Sequence, residues 1–190
     1  MVMIDAKTLR CCKDDKRWEI LRSEYVLRDR HLVVRRDKIR QPTGVEIDDY
    51  WVLEYPEWIN VIAMDGDGRM IMERQYRHAM GWTAYEIPAG CAEAGETPLE
   101  AAQRELAEET GYMGGEWELL MTISPNGTSM NNLTYCFVAK GVEAGRAHRE
   151  ATEDIDVILM EPEEVRRLLE AEEIVQATMV APLWRYFATR

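Results

Sequence analysis

The chain has 190 residues, 46% hydrophobic and 31% charged, the composition of a folded protein of roughly one domain rather than a disordered one. Its 35 acidic side chains against 23 basic ones leave a net charge of −12, which argues against a nucleic-acid coat because no surplus cations replace phosphate counterions. Adjacent Cys11 and Cys12 and solitary Cys91 and Cys136 make neither a disulfide framework nor a zinc spacing. No basic-then-apolar leader occurs and no apolar run nears the ~20 residues that span a bilayer, so the chain reads as a soluble cytoplasmic protein with neither nucleic acid nor membrane as partner.

Residues 1–14 read as a polar lead-in. Strand patterns follow at Trp18–Leu21, Tyr25–Leu27 and His31–Arg36, and after the turn Gln41-Pro42-Thr43-Gly44 again at Val45–Leu53. A three-stranded antiparallel sheet of this size is marginal alone and needs the rest of the chain, or a second copy, to pack on. From Trp58 a strand runs to Met64, turns at Asp65-Gly66-Asp67-Gly68 and returns through Met70–Met72. Tyr85–Ala89 is short and extended. A well-specified helix then opens at Thr97, with Pro98 at its first position and Glu100 completing a capping box, and stops at Gly111. Leu99, Ala102 and Leu106 form its apolar stripe. Strands are predicted at Glu116–Ile123, Leu133–Ala139 and Ile155–Met160, then helices at Glu161–Ala171 and Gln176–Ala188. His31, His78 and His148 show no metal spacing.

Chemistry concentrates on the capped helix. Glu105, Glu108 and Glu109 share one side of it at the edge of the apolar stripe. Like charges at this spacing repel, more so when partly buried. They are either a solvated acidic face or a cluster with a compensating cation. Arg104 can neutralise one carboxylate, and a hard divalent ion held by oxygen suits the others.

A longer pattern contains this cluster: Gly90, Glu96, Arg104-Glu105-Leu106, Glu108-Glu109 and Gly111-Tyr112. It resembles the Nudix box at every defining position. The resemblance implies an α/β fold, a Nudix α/β/α sandwich with a mixed sheet, and hydrolysis of a diphosphate with Mg2+ or Mn2+ as cofactor. It also implies Glu105 and Glu109 as metal ligands, Glu108 as a further ligand or water-positioning group, and the Ala89 carbonyl as a backbone ligand. Arg104 and Glu96 are implied as the ion pair that holds the box together.

Arg74-Gln75-Tyr76-Arg77, Glu86-Ile87-Pro88-Ala89-Gly90 and Ser124-Pro125 resemble the ADP-ribose and nucleoside-diphosphate-sugar pyrophosphatase branch of that family. This implies residues 1–56 as a small antiparallel β subdomain, exchanged between subunits of a homodimer and touching substrate, and 57–190 as the hydrolase domain. Arg77 is implied as a phosphate ligand or is an ordinary surface Arg. Glu86 contacts a sugar hydroxyl or a metal-held water, or pairs with Arg74 or Arg77. Trp18 stacks on the base or is core. Glu153, with Glu150 or Asp154 as substitutes, resembles a loop carboxylate that serves as ligand or general base. Met130 occupies the substrate-binding position where ADP-ribose-preferring members carry an acidic residue, so another nucleotide sugar enters as substrate. Ser129, Asn131 and Asn132 either read that sugar or shape the turn. A dinucleoside polyphosphate, coenzyme A or nucleoside triphosphate substrate, or a non-catalytic ADP-ribose sensor, fits the sequence less well.

Overall fold

The central strand of the larger unit alternates side chains between two cores, and this alternation builds the rest. The structure, a computed structural model, describes residues 16–147 and 154–189. In chain order it contains β1 (Glu19–Arg28), β2 (Val33–Arg40), β3 (Glu46–Glu54), β4 (Trp58–Asp65), β5 (Met70–Arg77), β6 (Trp82–Glu86) and β7 (Ala89–Cys91). There follow α1 (Pro98–Thr110), β8 (Tyr112–Met113), β9 (Glu116–Ile123), β10 (Thr134–Ala144), β11 (Ile155–Met160), α2 (Pro162–Glu170) and α3 (Ala177–Thr189). Two compact units result, one of residues up to Tyr55 with Asn126–Asn132, the other of Pro56–Pro125 with the chain from Leu133 onward.

The larger unit is built on a mixed sheet with the path β11-β5-β4-β10-β8, on which β6 pairs with β5, β7 with β4 and β9 with β10. β10 lies parallel to β4, while β5 and β7 run antiparallel to it. Ile59, Val61 and Ala63 of β4 join Ile71, Phe137 and Ala139 in one core with Ala101, Ala102 and Leu106 of α1. Ile62 and Met64 join Met70, Met72 and Val138 in the other, with Val165 and Leu169 of α2 and Met179 and Leu183 of α3. Both faces of the sheet are therefore covered, which is why β4 and the start of β5 read as continuous apolar runs rather than alternating ones.

α1 begins as its sequence demands. Thr97 accepts from the Glu100 N–H, Glu100 answers the Thr97 N–H, and Pro98 takes the first turn. Gly111 ends it at φ 80°, where a Cβ would stand 2.7 Å from the Ala147 nitrogen, so both conformation and space require glycine. Inside α3, Pro182 has no N–H to give the Thr178 carbonyl one turn earlier. The buried amide of Asn60, on β4, donates to that carbonyl instead.

The smaller unit is the antiparallel sheet β1-β2-β3. The segment 126–132 lies along β3: Leu53 bridges Met130, its N–H donates to the Ser129 carbonyl at 2.7 Å, and its carbonyl accepts from Asn131. Among the described residues of this unit Ile39 is the only buried hydrophobic side chain, whereas Trp18, Ile20, Val26, Leu27, Val45 and Trp51 are exposed. Order comes instead from charge ladders, such as Arg35 on the buried Asp37 and on Glu54, and Arg40 between Glu19 and Glu46.

Several boundaries differ from the sequence reading. The two short strands expected at Trp18–Leu21 and Tyr25–Leu27 are one strand, β1, broken only by register shifts. β2 starts at Val33 rather than His31 and runs on to Arg40 because its charged side chains pair across the sheet. The extended piece at Tyr85–Ala89 is two strands, β6 and β7. β10 extends to Ala144, and the short β8 pairs with its end. The stripe of α1 is Ala101, Ala102 and Leu106, with Leu99 partly buried at its margin.

Replacing Asn60 with Ala leaves the Thr178 carbonyl without its donor and lowers stability by about 1–3 kcal/mol. Pro182→Ala supplies a helical N–H to the same carbonyl. In a double-mutant cycle followed by urea denaturation, Asn60→Ala costs less in the Pro182→Ala background; additive losses contradict the account.

Candidate active site

The acidic helix faces the short strand β7, and Gly90 is what lets them meet. A Cβ on Gly90 would stand 2.2 Å from the Glu105 carboxyl carbon, so any side chain there evicts that carboxylate. The strand's amides reach for the helix: the Cys91 N–H donates to Glu105 Oε1 at 3.2 Å and the Ala89 N–H to Glu109 Oε2 at 3.1 Å. Glu109 is buried, the Glu105 side chain is 13% exposed and that of Glu108 44%, so the carboxylates step from core to solvent along one side of α1.

Arg104 holds this arrangement. Its Nε and Nη2 grip the two Glu96 oxygens at 2.9 and 3.0 Å, its Nη1 lies 3.0 Å from Glu105 and 2.9 Å from Glu108, and Nη2 also donates to the Cys91 carbonyl. One guanidinium thus ties the box loop, the helix and β7 together in the planar two-point manner that arginine allows. The Glu96 pairing, helped by Glu108 and Glu105, raises the Arg104 pKa, and Arg104 in turn lowers that of Glu96. Glu105 behaves oppositely: burial raises its pKa, against the pull of Arg104. The Cys91 thiol is pushed up by burial and by Glu105.

A second pair sits beside the first. Arg77, at the end of β5, meets the buried Glu86 of β6 with two parallel hydrogen bonds, Nε to Oε1 at 2.7 Å and Nη2 to Oε2. This pairing raises the Arg77 pKa, with Glu109 and Glu73 adding to the attraction. Arg77 also lines a cavity of about 400 Å³ that reaches Ala89, Gly90 and Cys91.

Of the expected site residues, Ala89, Glu105, Glu108, Glu109, Arg104, Arg77 and Glu86 come together within the larger unit. The Glu96–Arg104 pair and the Glu86–Arg77 pair both form. Trp18 and Met130 belong to the smaller unit. Trp18 is not core there: it is 39% exposed and meets the Tyr50 ring edge-on at 5.7 Å. In the 126–132 turn, Asn126 accepts from the Thr128 N–H and donates to Ser129, and Asn131 accepts from the Tyr55 N–H, so these groups shape the turn. Glu153 and Glu150 lie outside the described residues; Asp154 is exposed. The sequence reading did not single out Asn60 of β4, Gln176 just before α3 or Thr178 in its first turn, polar groups that no periodicity marks.

The donor set suits a hard divalent cation: three carboxylates at a backbone turn, all oxygen, with Gly90 leaving the room a side chain would take. Among the described residues no three acidic, His or Cys side chains close around a single point. Arg104 draws Glu105 and Glu108 to itself and occupies the position of counter-charge between them.

Residues 55–182 match the NUDIX domain, and residues 18–53 match the nucleoside diphosphate sugar hydrolase N-terminal domain. An ADP-ribose pyrophosphatase of Mycobacterium tuberculosis is 33% identical over 168 residues, 86% of this chain and 80% of that protein. A methanol dehydrogenase activator of Bacillus methanolicus is 27% identical over 162 residues, 84% of this chain and 87% of that protein. A crystal structure titled ADP compounds hydrolase superposes with a TM-score of 0.81 at 22% identity, covering 93% of this chain and 96% of that one, which fixes the mixed α/β architecture as the Nudix fold. Among the described residues no helix is long and apolar enough to cross a membrane. With the NUDIX domain spanning most of its length and the box carboxylates gathered on one glycine-backed helix, this chain belongs to the Nudix hydrolase family.

Proposed function

We propose that the protein hydrolyses the P–O–P bond of ADP-ribose or another nucleoside diphosphate sugar, releasing a nucleoside monophosphate and a sugar phosphate, as a Mg2+- or Mn2+-dependent homodimer. The observation that carries this reading is the convergence of Glu105 and Glu109 on the β7 backbone at Gly90, beside a cavity lined by Arg77. Nudix hydrolases generally use divalent metal ions. Here Glu105, Glu109, Glu108 and the Ala89 carbonyl, with Glu153, would hold them. When bound, such ions would offset charge on the non-bridging and leaving oxygens and favour loss of a proton from water.

The chain's own groups orient the reaction. Arg104 fixes the rotamers of Glu105 and Glu108, and Glu96 fixes Arg104. Glu108, the most solvent-open of the three, is the proposed water-orienting group. Arg77 keeps its charge toward the cavity and presents a guanidinium to a phosphate oxygen, while the Glu86 carboxylate holds its plane. Glu153 is the proposed base or further ligand. The catalytic set is then Glu108, Glu105, Glu153 and Arg104.

Residues 1–56 serve dimerisation and substrate contact, and 57–190 form the hydrolase domain. The support is the exposed apolar surface of the β1-β2-β3 unit, whose described residues bury almost no apolar core, and the match of that segment to the nucleoside diphosphate sugar hydrolase N-terminal domain. Trp18, exposed and steadied by Tyr50, offers a face to a base. Met130 brings no carboxylate to a ribose hydroxyl, which argues against ADP-ribose as the sole substrate.

Glu108→Gln should lower kcat by about 10²-fold or more with the circular dichroism spectrum unchanged; near-normal turnover removes it from the catalytic set. Hydrolysis should stop in EDTA and return with Mg2+ or Mn2+, and full rates in chelator sink the metal assignment. Light scattering should give about twice the 22.0 kDa chain mass, against which a stable monomer at micromolar concentration would count. Trp18→Ala should weaken substrate binding by about 1–3 kcal/mol if the indole stacks on the base, read as a rise in KM.

A further inference from the structure

The cavity beside Arg77 has lining residues that the proposed chemistry does not use. Besides Gly90 and Cys91 it is lined by Gln176 and Thr178, with Trp58, Met80 and Met179 as apolar surface. The two polar groups are held at the start of α3. The Gln176 carbonyl accepts from the Met179 and Val180 N–H groups of the first turn, and the Thr178 carbonyl, released by Pro182, is taken by Asn60. The backbone of this wall is thus fixed from the central strand, so binding there costs little further ordering.

The side chains are less committed. Gln176 Nε2 donates to the Thr178 hydroxyl at 3.4 Å, near the limit for such a bond. The amide carries two donors and an acceptor oxygen, and the hydroxyl can donate as well as accept, so both retain capacity toward a ligand. With the Asn60 amide nitrogen committed to the Thr178 carbonyl, the Gln176 amide and the Thr178 hydroxyl beside an indole and two thioethers make a lining for a ring with hydroxyl edges and C–H faces. Few placed polar groups on an apolar wall are the usual means of orienting such a ligand. Among the described residues the one charged side chain lining the cavity is Arg77, paired with Glu86.

We infer that Gln176 and Thr178 are specificity-determining residues that bind the hydroxyls of a neutral sugar, the sugar-phosphate half of the substrate, with its phosphate toward Arg77. This deepens the proposed function and rests on it for the identity of the ligand. A sugar bearing a carboxylate meets no counter-charge among the described residues of this wall, and an unpaired charge in such a place is disfavoured.

The test compares wild type with Gln176→Ala, Gln176→Glu and Thr178→Val, each first shown to melt cooperatively near the wild-type temperature. Substrates are ADP-ribose, ADP-glucose, UDP-glucose, UDP-glucuronate and the β-methyl ester of ADP, which has a diphosphate but no sugar on that side. Gln176→Ala and Thr178→Val should raise KM about tenfold for the preferred neutral sugar, the size of effect expected for one lost hydrogen bond, with kcat little changed and the methyl ester unaffected. UDP-glucuronate should be a poorer substrate than UDP-glucose by at least about tenfold. Equal effects on sugar substrate and methyl ester, no effect on either, or equal use of UDP-glucuronate overturn the assignment. Calorimetry with ribose 5-phosphate and glucose 1-phosphate separates this inference from the hydrolytic one. If wild type cleaves nothing in the panel yet binds a sugar phosphate in a Gln176-dependent way, the sugar site stands and the reaction falls. Cleavage with no dependence on either residue reverses that outcome.

Discussion

Three carboxylates within one helical turn repel one another, and the local structure is organised around offsetting that repulsion. Arg104 does so in the chain itself by contacting Glu96, Glu105 and Glu108 together. The backbone amides of Ala89 and Cys91 add two donors toward the buried side of the cluster. Hydrogen bonds to an ionised carboxylate are worth roughly twice neutral ones. Even so, Glu105 is left with a raised pKa, because burial outweighs its partners. Three carboxylates gathered against the β7 backbone, with burial working against the charged form of Glu105, make a site that gains from an added cation, and the metal-dependent reading follows from that convergence.

The fold supplies the distances. β4 can carry α1 on one side and α3 on the other because its side chains alternate between two cores. α1 rests on Ala101, Ala102 and Leu106, and the two alanines in its first turns let the helix lie close to the sheet. β7 pairs with β4 through Asn60 and Ala89. The same strand therefore positions the carboxylate turn, through β7, and the Gln176–Thr178 wall, through the Asn60 side chain. A change in the tilt of β4 would move both ends of the cavity together, which makes Asn60 a residue with consequences beyond its own hydrogen bond.

The sequence was informative where local chemistry sets structure. The cap at Thr97, the stop at Gly111 and the spacing of Glu105, Glu108 and Glu109 are short-range features, and each appears in the structure as its residues require. The strands of the larger unit were visible as apolar runs, since burial on both faces leaves that trace. Polar strands such as β2 were located less well, because cross-strand ion pairs with no apolar period hold them. Tertiary polar contacts left no trace at all. Nothing near Asn60 announces that Pro182, far along the chain, frees a carbonyl for it, and Gln176 reads only as the beginning of a helix. The Glu86–Arg77 pairing was one of several readings of Glu86, and in the β5–β6 hairpin that pair does form.

The net charge of −12 limits how an anionic substrate is recognised. At long range the chain repels a diphosphate, but at physiological ionic strength that field fades over about 8 Å, so the decision falls to groups in direct contact. Arg77 keeps its charge firmly, because Glu86, Glu109 and Glu73 all raise its pKa. Arg104 is spent on holding carboxylates and has little to offer a ligand. One committed guanidinium cannot balance a diphosphate surrounded by four glutamates, so on the proposed chemistry most of the compensating charge must come from bound cations. The acidic helix is then the means of attracting the anion rather than an obstacle to it: its carboxylates set how many cations the site recruits, and the cations set its sign toward substrate.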